Sequence, residues 1–469
     1  MSDPEARLNF AGYRRKQKTT ADDDLTRVGP GTVGGEYLRR FWHPVALTEG
    51  LRDLPVALRI LGEDLVIFRD KSGAIGLLHR HCSHRGASLE YGIISEHGIR
   101  CCYHGWLYDV DGTILEVPSE SDGSKIQRRL CHGAYPTHEF AGVVFAFMGP
   151  IEDMPAFPMY DTFTYAKGDR LVPYKLEQPC NWLQAHENGA DPIHTAFLHA
   201  RIAKVQFSPV FLELPVLDFL ETPIGLLSVA TRRIGDRLWI RASDVILPNS
   251  AQFGTGFFGD DDELFLLNAS LSRWVVPVDD VNCLAIGIRH LNATDPVRAG
   301  NDDKIGLNKV DFMGQTADRP YADRQRNPGD YDAQVSQRPI AIHGNENLAS
   351  SDRGVIMLRR LLRRGIQNIA KGEVLEKPVR YPSGKIPTYN HVVVLKVPVR
   401  PGVDDSELCH EFGRRVARIV IDSVIEEQSR RESLAEERVR RMILTELPQA
   451  SVEALAVGAS SPMQTKSNA

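Results

Sequence analysis

Two short ligand pairs constrain this chain more than any other feature: Cys82-Ser83-His84 and Cys101-Cys102-Tyr103-His104, with sixteen residues between them. Each is followed by a glycine within two positions, Gly86 and Gly105. Two thiolates and two imidazoles on paired loops suit a [2Fe–2S] centre in which one iron takes cysteines and the other histidines. Neutral imidazoles leave such a cluster less negative than an all-cysteine one and raise its reduction potential, so it can accept an electron from a low-potential donor and pass it on. The competing reading is a structural zinc site, which also uses Cys and His at short spacing. A zinc ribbon or finger usually places two cysteines in one loop, whereas each loop here supplies one residue of each type.

The full stretches, Arg80-His81-Cys82-Ser83-His84-Arg85-Gly86-Ala87 and Cys101-Cys102-Tyr103-His104-Gly105-Trp106, closely resemble the cluster loops of Rieske non-heme iron oxygenases. The resemblance runs over most of the chain, and 469 residues leave room for much more than a cluster domain. A chain of this length holds two domains with well-filled cores.

Hydrophobic residues make up 42% and charged residues 25%, the balance of a soluble globular protein, and no run approaches the roughly 18 apolar residues that span a bilayer. Met1 to Asp24 is polar, with Arg14-Arg15-Lys16 but no apolar stretch behind it, so it reads as a mobile arm rather than a signal or anchor. A net charge of −5 offers no bulk attraction to nucleic acid or anionic lipid. Seven scattered cysteines, an odd number, argue for free thiols and a reducing cytoplasm, with Cys102, Cys131, Cys180, Cys283 and Cys409 as ordinary thiols.

From about Val56 to Met148 short β-rich runs alternate with turns at Lys71-Ser72-Gly73 and Asp111-Gly112, predicting a small antiparallel β domain with the metal loops at hairpin tips. Past Pro150 to Pro155 the texture mixes apolar strands, such as Ala285–Ile288 and His391–Val397, with helices expected over Arg353–Lys371 and Glu407–Glu446. The fold class is therefore α+β, a small antiparallel β domain plus a larger α+β domain. The expected divisions are an N-terminal arm and helix (1–45), the cluster domain (46–155), a catalytic domain (156–448) and a disordered tail (449–469). Gly29-Pro-Gly31-Thr-Val-Gly34 and Gly254-Thr-Gly256-Phe-Phe-Gly259 match G-x-G-x-x-G, but neither has the strand-then-helix setting of a dinucleotide site, and Asp260 to Glu263 would repel a pyrophosphate. Electrons from NAD(P)H are thus expected to arrive through a separate protein.

A second constellation lies in Asp191-Pro-Ile-His194-Thr-Ala-Phe-Leu-His199. On a regular helix residues five apart point about 140° from one another, so both histidines can reach one ion only if the helix ends or bulges between them. Taken alone, such a pair more often packs than binds. Asn181-Trp182 and this segment, by their order and their separation from the cluster loops, resemble the mononuclear-iron segment of the same family. The resemblance implies that His194 and His199 bind Fe(II) and that Asp191 bridges the two redox sites. A non-heme iron triad needs one carboxylate; Asp352, in Ser350-Ser351-Asp352-Arg353, resembles the third ligand of the phthalate-dioxygenase-like branch, with Glu346 as rival and Glu187 as a supporting acid. Without the family, Asp352 reads as an acid of a helix start capped by Ser350 or Ser351. Arg359-Arg360 and Arg363-Arg364 read as a solvated helix face, and His81, His132 and His186 as surface or supporting groups.

What the resemblance implies is a helix-grip-like catalytic domain, a ferredoxin or flavin reductase as electron donor, O2 and an aromatic small molecule as substrates, and a homotrimer or stacked trimers in which His104 of one subunit meets Asp191 of the next. Gly29-Pro-Gly31, Tyr37 to Trp42 and Ser351-Asp-Arg-Gly354 look more like the phthalate dioxygenase and aromatic O-demethylase branch than the naphthalene type. The expected reaction is oxygenation of an aromatic acid, with O-demethylation of a lignin-derived methoxylated acid ahead of cis-dihydroxylation. Arg201 and Lys204 are weak candidates for the carboxylate. A non-enzymatic Rieske electron carrier is the alternative of another class, and it predicts no second iron site.

Overall fold

The computed structural model describes residues 20–430 apart from 121–124, 164–169, 203–205, 207, 255–264, 267–268, 292–315, 374–379 and 382, with positions 12, 441 and 445 in addition. The second G-x-G-x-x-G stretch beyond Gly254, the acidic run at Asp260, Lys204, most of the N-terminal arm and the tail lie outside the described residues. From Asp22 onward the chain is anchored: its backbone N–H donates to His343 Nδ1 (3.0 Å), and its carboxylate pairs with Arg363.

The first part is β, as its alternating pattern predicts. Strands β1 (Trp42–Leu47), β11 (Val143–Phe147) and β10 (Thr137–Phe140) form one sheet in that order. A second joins β2 (Val56–Ile60), β3 (Glu63–Arg69), β4 (Ile75–His79) and β9 (Ala134–Tyr135), and a third joins β5 (Ile93–Ile94), β6 (Ile99–Arg100), β7 (Leu107–Tyr108) and β8 (Ile114–Glu116). Period-two alternation splits β3 between two cores: Leu65 and Ile67 enter the main apolar cluster, while Val66 and Phe68 join Cys82, Cys101, Trp106 and Tyr108 beneath the metal loops. The main cluster continues without a break from Phe145 and Phe147 to Leu227 and Ile286 of the second part. Two backbone bonds stitch the same junction, Leu61 N–H to Pro277 O (2.9 Å) and Gly62 N–H to Val278 O (2.8 Å).

The second part is built on a nine-stranded antiparallel sheet, seven of whose strands run in the order β12 (Arg170–Gln178), β19 (Cys283–Leu291), β18 (Leu271–Pro277), β16 (Ser250–Phe253), β15 (Arg237–Ile246), β14 (Gly225–Ile234), β13 (Val216–Thr222). Strand β20 (His391–Lys396) pairs with the first half of β15 and with β17 (Phe265–Leu266). The helix Arg353–Ala370 buries Val355, Leu358, Leu361, Leu362 and Ile366 at helical spacing. Each such side chain contributes about 1.5–3 kcal/mol on full burial. Arg359 departs from the solvated face read from the sequence. It is buried, and its guanidinium joins Glu187 (2.5 Å) and Glu346 (2.5 Å), while Arg360, Arg363 and Arg364 face solvent. The other long helix is described over Asp405–Arg430 and packs on β13 and β14.

One buried acid on the far face of the sheet gives a pH signature. Asp244 accepts the backbone N–H groups of Tyr389 (2.7 Å) and Asn390 (2.8 Å) on Oδ2, and its Oδ1 has no partner. Burial pushes its carboxyl up to about 7, and that of Asp161 to about 6, against the partial offset of their donors. The unfolded chain releases these protons near pH 4. The protonated acids therefore stabilise the fold fully below pH ~4, and that contribution is lost as pH rises through about 6 and 7. Asp244→Asn is expected to melt above the parent at pH 8, with the gain shrinking toward pH 5. A pH-independent difference in calorimetry would contradict the assignment.

Candidate active site

The two cluster loops are built alike. In the first, Cys82 N–H donates to Ala87 O (2.9 Å) and Gly86 N–H to Cys82 O (2.8 Å); in the second, Cys101 N–H donates to Trp106 O (2.8 Å) and Gly105 N–H to Cys101 O (3.0 Å). Closing each turn needs a left-handed residue, and Gly86 (φ +77°) and Gly105 (φ +75°) supply it. The loops put Cys82 and Cys101 side by side in the interior, where burial and the neighbouring sulfur push the Cys101 thiol up. His84 and His104 lie at the surface, ring centroids 4.5 Å apart, with His84 stacked on Trp106 at 4.9 Å and 4°. Two inward sulfurs and two outward imidazoles fit a cluster half sunk in the protein, its histidine end facing out. Tyr108 Oη lies 3.0 Å from Cys82 Sγ.

The second centre depends on a change of helix type. The helical turn at His194–Ala196 passes into a wider π-helical turn at Phe197–Arg201, the bulge that a five-residue spacing requires. His194 and His199 thereby face one another, centroids 5.1 Å apart. Their tautomers are fixed by what surrounds them. His194 Nδ1 faces the Asp191 carbonyl, and His199 Nδ1 faces Gln206 Oε1 (2.8 Å); both oxygens accept, so Nδ1 carries the proton and each Nε2 presents its lone pair as a metal ligand would. Gln206 Nε2 donates in turn to Pro328 O (3.0 Å), tying the histidine segment to the chain that delivers Asp330.

Asp330, not Asp352, is the carboxylate at this point, and it corrects the expectation from sequence. Its Oδ1 lies 3.6 Å from His194 Nε2 and 3.3 Å from His199 Nε2, and the three side chains can offer ligand atoms all within 4.8 Å of one another. Burial drives the His194 imidazole down; at His199 burial acts the same way, but the Asp330 carboxylate and Gln206 outweigh it. Asp352 instead accepts the Ala349 N–H (2.6 Å) in the turn before the helix Arg353–Ala370, so it does sit at a helix start, but it is itself the acceptor there where the local sequence points to Ser350 or Ser351 as the cap. Glu346 and Glu187 are both committed to Arg359. The signal missed was in Gly329-Asp330-Tyr331-Asp332: Asp332 takes the Gly329 N–H (3.0 Å) and pairs with Arg319 and Arg324, which leaves Asp330 for the histidines.

Asn188 Nδ2 reaches both His194 Nε2 (3.2 Å) and Asp330 Oδ1 (3.1 Å), and its Oδ1 accepts from Arg273 (3.3 Å). Asp191 keeps its carboxylate part-exposed beside His194, with burial raising its protonation. Arg201 is an exposed brace on Leu212 O (2.9 Å). His81 is exposed, but His132 and His186 are buried rather than superficial. Gly29 to Gly34 follows the short helix Asp23–Thr26, not a strand.

The fold and these two constellations define a cluster-bearing β domain joined to an α+β domain with a two-histidine, one-carboxylate site. Residues 41–134 match the family described as the Rieske [2Fe-2S] domain. The oxygenase subunit of tert-butanol monooxygenase / tert-amyl alcohol desaturase from Aquincola tertiaricarbonis is 43% identical over 88% of this chain and 91% of its own. The phenoxybenzoate dioxygenase α subunit of Ectopseudomonas oleovorans is 38% identical over 75% and 86%, and the 5,5'-dehydrodivanillate O-demethylase oxygenase subunit of Sphingobium sp. 31% over 77% and 83%. The solved structure of NdmA from Pseudomonas putida CBB5 superposes with a TM-score of 0.54 at 22% identity, over 72% of this chain and 93% of that one.

The chain belongs to the oxygenase subunits of the Rieske non-heme iron oxygenases. Its cofactors are a Rieske [2Fe–2S] cluster and a mononuclear iron, and it is an oxidoreductase acting with O2. Among the described residues no helix is long and apolar enough to cross a membrane.

Proposed function

We propose that this oxygenase acts on an aromatic acid, with oxidative O-demethylation of a methoxylated acid ahead of cis-dihydroxylation. Cys82, His84, Cys101 and His104 hold the cluster, and His194, His199 and Asp330 the iron. When bound, the cluster supplies electrons singly and the iron the oxidising power. Such a demethylation consumes O2, two electrons and two protons, yields water and a hemiacetal, and ends in a phenol and formaldehyde.

The observation that carries the substrate class is a wall of three arginines, Arg232 buried and Arg241 and Arg273 half-buried. Register places Arg232, Arg241 and Arg273 on one face of the large sheet with Val245, Ala251 and Phe253, and Gly189 of the metal-binding segment sits over Val245, Ala251 and Phe253. Arg232 donates to Glu213 O (3.0 Å) and Thr195 Oγ1 (2.8 Å), Arg241 to Gly254 O (3.1 Å) and Arg273 to Asn188 Oδ1 (3.3 Å). None has a carboxylate partner among the described residues, and Nη1 of Arg232 and Nε of Arg241 and Arg273 bond nothing. Burial lowers Arg232 to about 9, helped by the Arg241 charge, and Arg241 to about 10. Desolvated cations with no carboxylate beside them among the described residues are costly, and an anionic substrate offsets that cost. Phe211 and Phe253 lie against the guanidinium groups at 5.0–5.9 Å, an aromatic lining for an arene. The phenoxybenzoate and dehydrodivanillate relatives support this reading over the tertiary alcohols named for the 43% relative.

The outward His84 and His104 and the part-exposed Asp191 support electron transfer between subunits of a trimer or stacked trimers. A ferredoxin or flavin reductase would be the donor, and the five cysteines outside the cluster, none in a disulfide, suit a reducing cytoplasm. The test is one assay with a surrogate reductase and a panel of methoxylated aromatic acids, plain aromatic acids and tert-butanol. Formaldehyde from the methoxylated acids is expected; cis-diol alone would shift the reading to dihydroxylation, and turnover confined to the neutral alcohol would overturn it.

A further inference from the structure

His132 lies buried on the approach to β9, where it touches two residues that border the cluster ligands. Its Nε2 is 2.8 Å from the His79 carbonyl, which can only accept, so Nε2 carries the proton. Nδ1 of the neutral ring is then an acceptor, and the Ser83 hydroxyl 2.6 Å away must donate to it. Ser83 stands between Cys82 and His84, so this bond fixes the first cluster loop against β4. The other side of the imidazole packs on the Tyr108 ring, centroids 4.5 Å apart at 36°. Burial keeps the imidazole neutral. The Tyr108 hydroxyl lies 3.0 Å from Cys82 Sγ, and a cluster-bound thiolate has no proton, so there the hydroxyl donates. Hydrogen bonds to cluster sulfurs spread negative charge and favour the reduced form.

We propose that His132 is a positioning residue for the Rieske cluster: by holding Ser83 and the Tyr108 ring it aims the Tyr108 hydroxyl at Cys82 Sγ and raises the potential at which the cluster takes its electron. The inference rests on Cys82 being a cluster ligand, which loss of acid-labile sulfide and visible absorption in Cys82→Ala tests by itself. The experiment is a midpoint-potential titration of the cluster-loaded protein followed by its visible absorption. Tyr108→Phe and His132→Ala are each expected to lower the potential, and His132→Ala is expected to add little in the Tyr108→Phe background, because it acts through that hydroxyl. A parental potential in His132→Ala, or an equal drop with and without the hydroxyl, would overturn the proposal. Should His132→Ala fail to hold a cluster, His132→Phe keeps the ring contact and removes both hydrogen bonds, and the same comparison applies. If that variant also fails, Ser83→Ala removes one hydroxyl from the exposed loop and must show the drop; a parental potential there refutes the idea.

Discussion

Asp330→Ala is expected to give a folded, coloured protein that keeps its cluster, loses its mononuclear iron and turns over at least ~1,000-fold more slowly, about 4 kcal/mol of barrier. The reasoning is geometric. His194 and His199 present Nε2 atoms to one point, and Asp330 Oδ1 is the carboxylate oxygen within 3.3–3.6 Å of both. Two imidazoles without the acid leave a cationic ion held by neutral ligands in a buried site, and a facial triad short of one arm. Asp352→Ala provides the contrast: it removes a helix-capping acceptor worth about 1 kcal/mol and should leave iron content intact. Iron and sulfide analysis of the two variants separates them. Iron lost from Asp352→Ala and kept in Asp330→Ala would restore the sequence-based choice.

Arg241→Gln is expected to lower kcat/KM for aromatic acids by about 100-fold while changing turnover of the matching neutral amides little. Losing a buried charge partner costs 2–5 kcal/mol, and tenfold is 1.4 kcal/mol, so 100-fold lies at the modest end. The variant keeps a hydrogen-bonding amide near Phe211 and Phe253, so the lost quantity is charge more than shape. An equal fall for acid and amide would make Arg241 a support for the His199 pocket and not a contact for the carboxylate.

Local patterns were legible where local physics decides them. The cluster loops, the β domain around them and the helix at Arg353 are written in short-range spacing, and helical angles alone required that the helix end or bulge between His194 and His199 if the two share one ion; the structure takes the bulge. The third ligand was not legible, because Asp330 and Asp352 both begin helices and differ only in which neighbours compete for them. Asp332 relieves Asp330 of capping and ion pairing, and nothing similar relieves Asp352. Arg359, His132 and the arginine wall were missed for a related reason: polar residues on helices and strands look solvated until the partner or the opposite wall is known. Long-range sheet register is what turns Arg232, Arg241 and Arg273 into one surface.

Strand β3 divides its side chains between the core under the metal loops and the core of the catalytic sheet, and Leu61 and Gly62 bond directly to the end of β18 and the residue after it. The electron-relay module is consequently no detachable cartridge. Cut free near residue 155, it would bare the flank that β1 and β11 share with Trp274 and Ile286, so heat or denaturant should melt relay and reaction chamber in a single concerted transition.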